Sequence, residues 1–180
     1  MEFLNTIKEQ IPDYAKDVRL NLDATIARSS LDPADAAGAA LAAAYAAKSK
    51  FIVDAIRNGG QLSETDSNAA LTAAALMGMN NVWYPYVEMA GDDDLKTQRA
   101  ELRMNAYGTH GGVDKRRFEL FALAASIIGK CHFCVASHYK LLKETGMSAV
   151  QLRDIGRIAA VVSAAANVLA VEEQTGVALA

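Results

Sequence analysis

The chain has 180 residues, 52% of them hydrophobic and 22% charged, which suits one folded domain with a sizeable core and excludes a disordered chain. Its 35 alanines, against 3 prolines and 7% aromatics, argue against an all-β fold, because strands draw on branched and aromatic side chains whereas alanine is the best helix former. A formal net charge of −3, with no cluster of Lys and Arg, makes nucleic acid a poor partner.

In chain order, the first ten residues carry Glu2, Lys8 and Glu9 and lack the apolar core of a secretory leader. No stretch of about 18 apolar residues is free of charge, so no membrane span is expected either, and the protein is predicted to be cytoplasmic. Asp32-Pro33 sets a capping residue before a proline suited to the first helical position, and predicts an Ala-rich helix from there to about Arg57, ended by Gly59-Gly60. Ser63, with Asp66 three residues on, predicts a second helix that reaches Val82 or beyond, while Pro85 and the acidic segment 91–94 mark a turn. Residues 95–105 read as a short surface helix, and 107–112, with Gly108, Gly111 and Gly112, as a loop. A helix from about Asp114 runs through Phe118-Glu119-Leu120-Phe121 to Ile128 and is interrupted by Gly129. The next helix carries both cysteines to about Glu144 and stops at Thr145-Gly146. Ser148 followed by Gln151 is a capping box for a last long helix that runs to about Gln174 and ends at Gly176. The expected architecture is all-α, one domain over residues 1–180, with a scaffold half over about 1–90 and a catalytic half over about 95–180.

The two halves also overlay at an offset of 82 residues. Leu41, Ala42, Ala43, Lys48, Phe51 and Val53 fall on identical residues within 123–135. In that alignment Ser49 and Ile52 stand where Cys131 and Cys134 stand later. The pattern predicts an internal duplication of a helical hairpin in which only the second copy carries thiols.

Cys131 and Cys134 are the only cysteines, too few for a disulfide framework in a chain of this size, and a close pair in a reducing compartment points to redox or metal chemistry. At about 100° per residue, Cys131, Cys134 and His138 share a helical stripe roughly 60° wide, while His132 and Phe133 point elsewhere. A thiol reacts as its thiolate. A helix starting near Cys131 favours that anion through its N-terminus, and His138, one turn after Cys134, is placed to accept its proton. If the chain doubles back at Gly129-Lys130, Glu119 comes level with His138 across the hairpin, directly or through water, and can hold the imidazole. Taken singly, each residue has a plainer reading: two small core cysteines, a satisfied core histidine, and a carboxylate on the polar edge of a helix. His110 reads as structural or solvated, and His132 as solvent-facing or at a subunit contact. A c-type haem needs histidine directly after the second cysteine, where Val135 stands, and a thioredoxin fold needs a βαβ pattern that is missing. Zinc stays open as a rival, since Cys131, Cys134, His138 and Glu119 could supply four ligands to a zinc-binding helical module.

The pattern of Glu119, eleven residues, then Cys131-x-x-Cys134-x-x-x-His138 resembles the alkyl hydroperoxide reductase AhpD family, within the wider carboxymuconolactone decarboxylase-like group. The resemblance covers nearly the whole chain. It implies an all-α homotrimer with peroxidase activity, no bound cofactor and no metal. Cys134 would then be the nucleophile that passes through a sulfenic acid, Cys131 the proton donor and resolving thiol that closes the disulfide, and His138 and Glu119 the proton relay. The same resemblance implies dihydrolipoamide, carried on a lipoylated acyltransferase, as reductant, hydroperoxides as substrates, and the peroxiredoxin AhpC as partner. An adaptor that passes electrons to a peroxiredoxin without peroxidase activity of its own is a further alternative. Some members carry histidine immediately before the second cysteine; Phe133 stands there here, with His132 displaced by one place.

Overall fold

Phe3, Leu4, Ile7 and Ile11 recur at helical spacing, and all four are buried. The first three form the inner face of α1 (Glu2–Glu9), which packs on the first hairpin, and Ile11 follows just beyond its end. The computed structural model describes residues 1–177, and every regular element among them is helical. After α1 come a 3₁₀ turn, α2 (Lys16–Leu22) and a π-helical turn at Asp23–Ala27. Then follow α3 (Pro33–Ala46), α4 (Lys50–Asn58), α5 (Glu64–Ala90), α6 (Asp93–Thr97), α7 (Asn105–Thr109), α8 (Lys115–Gly129), α9 (His132–Glu144) and α10 (Ala149–Val177).

The core is built on α3. Ala36, Ala37 and every residue from Ala39 to Ala44 are fully buried, so this helix is apolar on all sides, as a central helix must be. It packs against α5, α8 and α10. Small side chains let α8 approach closely: a Cβ on Gly38 would lie 2.3 Å from Cε1 of the buried Phe121. Phe118 and Phe121, both fully buried on α8, each stabilise the fold by about 2 kcal/mol through apolar burial. Charges tie the layers at one end, where Arg117 of α8 donates to buried Asp35 of α3 (2.7 Å) and to Asp66 of α5 (2.8 Å).

Several expected boundaries shift. The Ala-rich run is two helices, because Lys48 turns left-handed (φ 61°) and Ser49 caps α4 by accepting the Ile52 N–H at 3.4 Å. Pro85 lies inside α5, where proline removes one helical hydrogen bond without ending the helix; the turn falls at left-handed Gly91. Residues 95–105 are not one surface helix, since α6 is capped by Asp92 and stops at Thr97. Residues 107–112 are not a plain loop but the end of α7 followed by a 3₁₀ turn. α10 continues past Gly176 to Val177. Its segment 149–172 is long and apolar enough to cross a membrane by length and composition. Here Leu152, Ile155, Ile158, Ala159, Val162, Ala165 and Leu169 instead form a buried stripe in a helix packed on α3 and α8. The caps at Asp114, Ser63 and Ser148 stand where expected, the last closed by reciprocal bonds between Ser148 and Gln151.

Candidate active site

The turn between α8 and α9 sets the site. Lys130 adopts a left-handed conformation (φ 54°), as Lys48 does between α3 and α4, and Cys131 then takes an extended conformation as the N-cap of α9. Its sulfur accepts the Cys134 N–H at 3.2 Å, as the Ser49 hydroxyl accepts from Ile52 in the first hairpin. Cys131 thus sits at the helix cap rather than on the helical stripe, and the N-terminal N–H of α9 is directed at its sulfur. Cys131 and Cys134 are joined by a disulfide, with Cα atoms 5.3 Å apart. Gly129 lets α8 pass close to α5 at this turn, since a Cβ there would lie 2.1 Å from the Asn81 amide nitrogen.

The two sulfurs differ in surroundings. Cys131 is fully buried, 3.9 Å from the Asn80 carbonyl. Cys134 lines a cavity of about 370 Å³ with Tyr84, Met104, Tyr107, Phe133 and His138. At the mouth, Phe133 stacks on Tyr84 with ring centroids 4.2 Å apart. Phe133 is exposed on its outer side, so a large apolar surface stands beside the opening.

Behind the cysteines, Glu119 of α8 meets His138 of α9 directly across the hairpin. The Nδ1 of His138 lies 2.5 Å from Oε2 of Glu119, and both side chains are buried. The second carboxylate oxygen, Oε1, accepts a hydrogen bond from the Tyr107 hydroxyl. Burial alone would push the Glu119 carboxyl up, but the bonds from His138 and Tyr107, with the charges of His138 and Lys115, outweigh it and hold the group below the usual carboxylate range. Burial pushes the Tyr107 hydroxyl far above its ordinary value, and its bond to Glu119 and that carboxylate's charge add to the effect, so Tyr107 remains a donor at neutral pH. The other imidazole nitrogen, Nε2, faces the Met77 thioether at 3.2 Å.

The four expected site residues therefore come together around one hairpin turn. Two partners of theirs, Tyr107 and Met77, carried no local signal: Tyr107 lies in a glycine-rich segment, and Met77 is one apolar residue among many on α5. His110 is structural, packed edge to face with Tyr107 and tilted against Phe118. His132 is solvent-facing, 3.3 Å from Glu88. Among the described residues, no group of three or more His, Cys, Asp or Glu is placed to hold a metal ion, and both candidate sulfur ligands are taken up in the disulfide.

Residues 93–175, which span the site, match the carboxymuconolactone decarboxylase family. Over longer stretches the chain is similar to proteins named alkyl hydroperoxide reductase AhpD. That of Rhodospirillum centenum is 44% identical over 171 residues, 94% of this chain and 91% of the relative. That of a Bradyrhizobium species is 42% identical over 165 residues, 91% of each chain. That of Coxiella burnetii is 37% identical over 177 residues, covering 96% and 99%.

Proposed function

Because the chain belongs to the alkyl hydroperoxide reductase AhpD family, we propose that it reduces organic hydroperoxides through a disulfide cycle at Cys131 and Cys134. One observation carries this reading: the bonded pair opens, through Cys134 alone, onto a cavity that also holds His138 backed by Glu119. In the dithiol form, the Cys134 thiolate attacks the outer oxygen of ROOH. The O–O bond breaks, the alkoxide takes a proton and leaves as ROH, and Cys134 becomes a sulfenic acid. Cys131 then attacks that sulfur and water leaves as the disulfide forms. Its place at the helix cap supports Cys131 as a stabilised thiolate, since the Cys134 N–H already points at its sulfur. His138 takes and returns the Cys134 proton, and Glu119 holds the imidazole through Nδ1.

An external dithiol resets the pair, accepting the two oxidising equivalents as its own disulfide; dihydrolipoamide on a lipoylated acyltransferase fits that role. No bound cofactor or metal enters the cycle. The peroxiredoxin AhpC is the proposed protein partner, a homotrimer the proposed assembly, and the cytoplasm the proposed location. The test is hydroperoxide consumption with dihydrolipoamide as sole reductant. The parent protein is expected to turn over and Cys134→Ser to show none; undiminished turnover in that variant would overturn the reading.

A further inference from the structure

His138 has two ring nitrogens, and the relay just described uses Nδ1 on Glu119 and Nε2 on Cys134. In the disulfide form neither sulfur needs a proton, yet Nε2 has a partner: the Met77 sulfur at 3.2 Å, on a fully buried side chain of α5. A thioether can only accept a hydrogen bond. Glu119, whose two oxygens take bonds from Tyr107 and His138, likewise accepts, so Nδ1 is a donor. With acceptors on both sides of the ring, the arrangement is satisfied when both nitrogens carry hydrogen. The surroundings leave this intact: Glu119 of α8 and Met77 of α5 meet the two ring nitrogens, Tyr107 of α7 bonds to Glu119, and Cys134 of α9 lines the same cavity as the ring.

We propose that Met77 is a positioning residue that accepts the Nε2–H of His138 while the cysteines are disulfide-bonded, keeping a proton ready for the thiolate released on reduction. The inference rests on the disulfide cycle proposed above. The first thiolate of an external dithiol attacks Cys134, the accessible sulfur, and Cys131 leaves as a thiolate at the helix cap. The second thiolate attacks the external sulfur of that mixed disulfide, and the leaving Cys134 thiolate takes the Nε2 proton. Two electrons pass to the pair, the external dithiol closes to its own disulfide, and His138 swings from the Met77 sulfur to that of Cys134.

The test uses the full chain in its disulfide form. Nitrogen-15 spectra of the unsubstituted protein at neutral pH are expected to show both ring nitrogens of His138 in the protonated class, with the Nε2–H slow to exchange; an unprotonated Nε2 would overturn the proposal. Reduction by dithiothreitol in a single turnover is expected to slow about tenfold in Met77→Leu, which keeps the volume and removes the acceptor. Met77→Gln, which restores an acceptor, is expected to return the rate to within about threefold of the parent. Reduction of a folded Met77→Leu at the parent rate overturns the proposal, as does a folded Met77→Gln as slow as the leucine variant; if the glutamine variant does not fold, the spectrum decides. Failure of the underlying cycle looks different, since hydroperoxide turnover would then survive Cys134→Ser whatever stands at position 77.

Discussion

At the scale of single residues, the site depends on how Glu119 is held. A carboxylate buried to this degree is costly unless both oxygens are engaged, and the two donors that engage them come from different elements. Glu119 and His138 could be paired from the sequence because the hairpin joining them is short and helical rise sets their level. Tyr107 could not, since α7 approaches α8 through a chain path with no periodicity to read. Its contribution is separable: the ring packs edge to face on Phe118, and only the hydroxyl reaches Glu119. Tyr107→Phe is expected to fold normally and to lower hydroperoxide turnover about tenfold. One of the bonds favouring the Glu119 carboxylate is then gone, so the acid side of the turnover profile moves to higher pH. A variant with parent turnover and an unmoved profile would show that the hydroxyl does not act through Glu119.

At the scale of elements, the helices that begin at the capping residues Ser63, Asp114 and Ser148 were legible. The break at Lys48 was not, because a lysine in the left-handed region looks like any helix former, and Ser49 sits in a run that would support a continuous helix. The comparison with Lys130 and Cys131 explains the difference: there a glycine precedes the turn, whereas Ala47 precedes Lys48. The N-terminal helices have no side-chain cap to announce them, although the spacing of Phe3, Ile7 and Ile11 carries the helical period. Close packing between elements draws on several glycines, two of which, Gly38 and Gly129, lie within helices, where alanine would ordinarily be favoured by about 1 kcal/mol. Gly38→Ala drives a methyl into Phe121, and Gly129→Ala drives one into Asn81. Each is expected to cost about 2 kcal/mol in urea unfolding, with the denaturant dependence unchanged. Gly129→Ala should also slow disulfide reduction, because it displaces α5 at the cysteine turn, whereas Gly38→Ala should not. A Gly38→Ala protein as stable as the parent would mean that Phe121 yields without loss.

At the scale of the whole molecule, composition and periodicity specify an all-helical core but are silent on which distant side chains close it. Asp154 is the clearest case. It lies on α10, buried, and accepts the N–H and hydroxyl of Ser30, 124 positions earlier, at 2.9 and 2.8 Å. Its other oxygen accepts from Arg153 and Arg157. No motif marks either partner; the pair exists only because α10 returns alongside the turn that precedes α3. Burial pushes the Asp154 carboxyl up, but the Ser30 and arginine bonds outweigh it and hold it well below the usual carboxylate range. A depressed value means that the unfolded chain binds a proton more readily than the folded one. The contribution of Asp154 is therefore fully present above the ordinary carboxylate value and is lost as pH falls through the folded one. Asp154→Asn mimics the protonated side chain in shape. At pH 7 it is expected to be less stable than the parent by about 2 kcal/mol. Below about pH 4 the gap should narrow, because the carboxyl of the parent's unfolded chain takes up its proton while that of the folded chain stays ionised. Chemical unfolding of both proteins at pH 7 and pH 3 decides the point, because a gap of the same size at both values would place the effect in packing rather than in the charge.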